Sequence, residues 1–151
     1  MSKIHIQNVS QMRIPSHRLL KAAATLVLSA LPVKKGKVLC IRMVDEVESA
    51  MLNKRYRKKN SSTNVLAFPM DKNELGLLGD LVICTAVVKR EALSQHKTLA
   101  AHFSHIIVHG TLHLLGFDHE TRKEALKMES LEIKFLRQLG FANPYVLKNS
   151  I

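Results

Sequence analysis

Acidic residues are scarce in this chain of 151 residues. Only 12 Asp and Glu stand against 23 Lys and Arg, leaving a net charge of +11 with histidines neutral. A field of that sign draws polyanions rather than polycations, and in cytoplasm the usual polyanion is nucleic acid. The alternative is a generic solubilising surface. Cysteine is scarcer still. Cys40 and Cys84 are the two present, each inside a β-like apolar run, which excludes a CxxC site and a disulfide framework and leaves two small buried hydrophobes. Long apolar runs are missing too. The longest, Ala22 to Leu31, is too short to span a bilayer and no cleavage site follows it. Met1 to Ile6 reads as a strand rather than a signal peptide. These features lead us to expect a cytoplasmic protein without a membrane partner. No repeat, low-complexity tract or linker interrupts the sequence, so residues 1–151 are expected to form one domain, with enough apolar residues (46%) for a real core.

Local patterns divide the chain into strands and helices. Ile4 to Asn8 alternates as a half-buried strand does. A helix is expected from Pro15-Ser16 to Leu31, with Pro32 as its stop, and Lys34 to Lys37 reads as a turn. Val38 to Val44 looks like a second strand. Asp45 is placed to cap a helix over Glu46 to about Tyr56, whose basic end suits the helix dipole. After a polar loop at 60–64, Val65 to Phe68 reads as a strand closed by Pro69, and its proline assigns it to a sheet edge. Asp71 to Gly79 reads as a loop. Asp80 is then expected to organise the entry to a buried strand ending at Cys84. Thr85 is expected to cap the next helix, to about Gln95. A further helix runs from about Thr98 to Leu115 and stops at Gly116. The last opens on Thr121-Arg-Lys-Glu124, a capping-box pattern, and ends at Gly140.

The helix before Gly116 carries the chemistry. His102, His105, His109 and His113 fall within an arc of roughly 80° at about 100° per residue. Its other faces hold Leu99, Phe103, Ile106, Ile107, Leu112 and Leu114. An all-round apolar helix is usually buried, and a buried imidazole stripe is costly without partners. His109 and His113 stand one turn apart, so both can reach one ion, and Gly116 lets the chain swing back to His119. The spacing HxxxHxxGxxH gives a three-histidine site with an open coordination position, the arrangement of catalytic zinc centres. One zinc per chain is therefore expected on His109, His113 and His119. His105 reads as a residue behind the ligands or a core residue, and His102 as a polar residue near the helix start. Asp118 can orient an imidazole N–H or cap the turn before the last helix; both readings stand.

At these residues the chain resembles the YbeY family of bacterial endoribonucleases. The similarity is carried by Tyr56-Arg57, Thr63 to Pro69, Leu78 to Ile83, His109 to His119 and Gly140 to Tyr145, and it runs from about Val38 to Tyr145. The resemblance implies a zinc-bearing α+β domain acting on single-stranded RNA in 16S ribosomal RNA 3′-end maturation and ribosome quality control. Its implied partners are ribosomal RNA and the ribosome or its subunits, with ribosomal proteins as further candidates. It also implies that Arg57 serves activity beside the metal ligand His109, the two catalytic residues of this reading. The family commonly has an acidic residue where this chain has Asn60 and a serine at Ala67, so no role is assigned to those side chains. Lys54, Arg55, Lys58 and Lys59 read as an RNA backbone-binding patch or as exposed charge.

Three neutral imidazoles leave a zinc ion its full charge, able to lower the pKa of a bound water to about 7 and to polarise a phosphoryl oxygen. Arginine offers a planar fork for two phosphate oxygens. Metzincin peptidases share the histidine spacing, but there a glutamate base follows the first histidine; here that position is Gly110. The expected architecture is a mixed sheet of about four strands with about five helices, the sheet packed against a zincin-like metal helix. A non-catalytic, zinc-stabilised ribosome-assembly factor is the main rival function, and a metallopeptidase the lesser one.

Overall fold

A computed structural model describes residues 3–31, 38–57, 63–70 and 76–146, with Arg57 described by its backbone alone. Pro32, the basic turn at 34–37, Lys58, Lys59 and Asn60 lie outside the described residues. The elements run β1 (Lys3–Asn8), α1 (His17–Ala30), β2 (Val38–Val44), α2 (Glu46–Arg57), β3 (Val65–Pro69), β4 (Leu77–Cys84), α3 (Thr85–Ser94), α4 (Leu99–Leu114) and α5 (Arg122–Gln138). The four strands form one mixed sheet in the order β1-β2-β4-β3. The first three are parallel, and β3 runs antiparallel to β4 at the edge, where its terminal proline costs no interior ladder bond. The expected α+β class, four strands and five helices are all present.

One face of the sheet carries the main core. Leu39, Ile41, Met43, Leu81 and Ile83 alternate along β2 and β4 and meet α1, α4 and α5. Helix α1 contributes a stripe of Leu20, Ala23, Ala24, Val27 and Leu28, which is helical spacing, and Ser16 starts it by accepting from the Leu19 amide at 3.2 Å. On the other face Val44, Leu66 and Val82 form a smaller cluster with Leu52 of α2. Helix α4 is buried on most sides, packing on α1, α3, α5, β3 and β4.

Four sequence expectations need correction. β4 begins at Leu77, so Asp80 lies in mid-strand, paired with Cys40 and Phe68, and does not mark the strand's entry. Gly79 hid this start, yet it is needed there: a Cβ would lie 2.5 Å from the Phe68 carbonyl oxygen. Thr85 does not cap α3. The ladder continues to Cys84, whose amide bonds to the Asn64 carbonyl, so β4 passes into α3 without a turn and Thr85 is buried. Nor is the Asp45 carboxylate spent within α2; it accepts from the Gln11 amide at 3.1 Å. Cys84 is buried as expected, but Cys40 is only partly so.

The two late glycines close their helices alike. The Gly116 amide reaches the His113 carbonyl at 3.0 Å and Phe117 reaches Leu112 at 3.0 Å. Gly140 and Phe141 repeat this on Arg137 and Leu136 at 3.0 and 2.8 Å. Both glycines have positive φ, +100° and +92°, and each following phenylalanine packs on the core. Such turns satisfy the last helical carbonyls and reverse the chain abruptly. One carries the backbone to His119, the other to Tyr145.

Gly110 of α4 packs directly over Leu81 of β4. A Cβ there would lie 2.8 Å from the Leu81 side chain, in the fully buried core. Gly110→Ala should therefore destabilise the fold by about 1–3 kcal/mol through overpacking, even though alanine favours helix. Denaturant unfolding checks this, and a stabilised variant would contradict the packing described.

Candidate metal centre

Helix α4 starts on Thr98, whose hydroxyl accepts from the Ala101 amide at 3.0 Å, and its imidazoles meet α3 through His102, α5 through His105 and His109, and the groove beside β3 through His109 and His113. His109 and His113 come from this stripe and His119 from the turn beyond Gly116. One nitrogen of each lies within 4.8 Å of the others. The ring centroids are 4.7 Å apart for His109–His113, 5.0 Å for His113–His119 and 5.6 Å for His109–His119. Among the described residues this is the only such group of potential ligands. Burial, then the neighbouring His109 and His119 rings, holds His113 below the ordinary imidazole pKa, which favours the neutral form a metal needs. Three neutral nitrogen donors on one wall of an open groove fit a divalent ion of the zinc type.

The groove encloses about 770 Å³. Its other wall is the edge strand β3, from Val65 to Pro69, and Tyr56 stands at one end. Tyr56 packs edge-on against Phe68 with centroids 5.1 Å apart. This contact ties the end of α2 to the groove, and the helix ends at the next residue, Arg57. The Arg55 guanidinium lies 5.5 Å from the Tyr56 ring centre, and Lys54 and Arg55 are both exposed. Ala67 lines the groove from β3.

The remaining histidines of the stripe all have partners. His102 lies near the start of α4 and is buried, and its Nε2 lies 2.9 Å from Glu91, which Asn64 also contacts. Burial pushes the His102 pKa down, against the pull of Glu91. His105 Nε2 lies 2.5 Å from Glu132 of α5. Glu132 also meets His109 Nδ1 at 3.2 Å and accepts from the Tyr145 hydroxyl at 2.6 Å. Burial alone would raise this carboxyl; the bonds from His105, His109 and Tyr145 outweigh it and hold it at about 2. Burial and Glu132 in turn push the Tyr145 phenol up. Asp118 accepts from the His119 amide at 2.7 Å, and its carboxylate lies 4.0 Å from the His119 ring nitrogen.

Glu132 was not singled out from the sequence, although a signal was there. Met128, Glu132 and Phe135 are spaced as one face of α5, and all three are buried. An acid on the apolar stripe of an amphipathic helix calls for a buried partner. The peptidase reading meets a steric objection as well as a chemical one. No side chain fits at Gly110 without displacing Leu81, so the position after His109 cannot take a glutamate in this packing.

Comparison with known proteins agrees with this geometry. A family model described as Endoribonuclease YbeY matches residues 4–140. Endoribonuclease YbeY of Colwellia psychrerythraea strain 34H is 54% identical over 111 residues, 72% of this chain and 72% of that protein. The solution structure of TM1509 from Thermotoga maritima superposes with a TM-score of 0.58 at 20% identity, covering 98% of this chain and 99% of that one, which supports the fold alone. On the family match, with its relative identical at more than half the aligned positions, the chain belongs to the YbeY endoribonuclease family.

Proposed function

We propose that this protein is a zinc-dependent endoribonuclease that cleaves single-stranded segments of ribosomal RNA precursors, with 16S 3′-end maturation and ribosome quality control as its setting. The observation that carries the reading is the trio His109, His113 and His119 on the wall of an open groove, in a chain of this family. A bound zinc ion would supply Lewis acidity at the phosphate and a water of lowered pKa. The chain's own residues do the rest. The net charge of +11 draws the RNA backbone, with Lys54, Arg55, Lys58 and Lys59 as proposed phosphate contacts. Arg57 is assigned to the scissile phosphate, because α2 ends beside the groove and guanidinium suits phosphate. Strand β3 forms the facing wall along which a single strand can lie. The ribosome or its subunits, with ribosomal proteins, are the proposed partners. We also assign the protein to the cytoplasm; no described helix is long and apolar enough to cross a membrane.

Purified protein should hold one zinc per chain by elemental analysis. His109→Ala, His113→Ala and His119→Ala should each lower occupancy sharply, and full retention in all three would remove the site. Protons compete with the metal for imidazole, so binding should be complete above the free histidine pKa of about 6.5 and weaken as pH falls below it. His113, held below that value, stays neutral further into acid. Unchanged retention at about pH 4 would point to other ligands.

Arg57 and the lysines should separate in kinetics. Arg57→Ala should lower single-turnover cleavage about a hundredfold while changing RNA affinity much less, because its contact strengthens in the transition state. Lys58→Ala with Lys59→Ala should instead weaken binding and reduce the salt slope by about one to two units. Equal losses of affinity and cleavage for Arg57→Ala would make it an ordinary member of the basic patch.

A further inference from the structure

Glu132 does more than neutralise a buried histidine. It is 1% exposed, and both oxygens are engaged: Oε2 faces His109 Nδ1 at 3.2 Å, and Oε1 faces His105 Nε2 at 2.5 Å and the Tyr145 hydroxyl at 2.6 Å. An ionised carboxylate only accepts hydrogen bonds, so each of these neighbours must donate. His109 then carries its proton on Nδ1, which leaves Nε2 as its lone-pair nitrogen. His105, one turn earlier on the same helix, meets the same carboxylate through Nε2. Its remaining nitrogen, Nδ1, is buried with no hydrogen-bond partner, which a bare lone pair tolerates better than an orphaned N–H. Two histidines four residues apart on one stripe thus present opposite ring nitrogens to one acid.

From this geometry we propose that Glu132 is a positioning residue that selects His109, and not His105, as the metal ligand by fixing its ring and its tautomer. Tyr145 completes the device from the far end of the chain. The turn at Gly140 brings the segment back. The Lys97 ammonium donates to the Pro144 carbonyl at 3.0 Å, and the Tyr145 amide donates to the Asn143 side chain at 2.8 Å. The phenol so placed steadies Glu132 from outside. A carboxylate behind a histidine ligand also raises the ligand's basicity, and loss of such a partner typically costs about 10–100-fold in metal affinity. Tyr145 thereby contributes to metal retention without touching the metal. The inference rests on the proposed three-histidine zinc site.

The test measures zinc affinity by competition with a chromophoric chelator for wild type, Glu132→Gln, Tyr145→Phe and His119→Ala. It adds the His109 tautomer in zinc-free protein by nitrogen–proton correlation, and the melting temperature of each zinc-free variant. Glu132→Gln should bind zinc about 10–100-fold more weakly. Its His109 should lose its Nδ1–H preference. Tyr145→Phe, which removes one hydroxyl from a half-exposed ring, should bind roughly three- to tenfold more weakly. If Glu132→Gln fails to fold, Tyr145→Phe and the wild-type tautomer carry the test. Wild-type affinity in the folded variants, with only the melting temperature lowered, would make Glu132 merely structural and overturn the proposal. So would an Nε2–H tautomer of His109 in the wild type. Failure of the zinc site itself would show separately, as a wild type that binds no zinc or a His119→Ala variant that binds it normally.

Discussion

A helix that crosses a hydrophobic core can carry a row of imidazoles only if each ring nitrogen inside the core is compatible with its surroundings. Helix α4 meets that constraint through one nitrogen of each buried ring, leaving His102 Nδ1 and His105 Nδ1 without a hydrogen-bond partner, and the arrangement of the site follows from it. At the buried end His102 leans on Glu91, and in the middle His105 and His109 share Glu132. Toward the open end His113 meets the rings of His109 and His119 at the groove. The stripe passes from carboxylate-held to metal-competent over three helical turns. Desolvation drives this gradient: a charged imidazole is disfavoured inside unless an acid lies beside it, and a neutral one is a ligand wherever a lone pair faces an opening.

The groove depends on the sheet as much as on the helix. Strand β3 is short, antiparallel and at the edge, so its outer side is free of strand partners among the described residues and forms a wall instead. β4 beside it must lie close to α4, and the contact is set by Gly110 over Leu81. A side chain at 110 would meet the Leu81 side chain at 2.8 Å and require it to shift. The glycine that removes the peptidase base is therefore also the residue that lets the metal helix approach the sheet.

Features that depend on neighbours in sequence were legible in it. The HxxxHxxGxxH spacing, the glycine turns at Gly116 and Gly140, the Thr121–Glu124 capping box and the edge position of Val65 to Pro69 all appear where local chemistry puts them. Features created by tertiary contact were not. Glu132 lies 23 residues beyond His109 and meets it only because α5 packs back on α4. Glu91 reaches His102 across the packing of α3 on α4. Asp118, next to His119, left two readings open in the sequence; its short side chain accepts from the backbone amide of His119. Gly79 looked like the end of a loop because its role, admitting the Phe68 carbonyl, belongs to the neighbouring strand.

The central question is whether the three-histidine centre performs RNA cleavage or only holds the fold. The most direct measurement takes one preparation, strips its metal with a chelator, and follows RNA cleavage and RNA binding in parallel, before and after zinc is returned. A catalytic centre predicts that cleavage disappears in the stripped protein and returns with zinc, while RNA affinity and circular dichroism change little throughout. Undiminished cleavage by fully stripped protein, or by a folded His113→Ala variant, would contradict it.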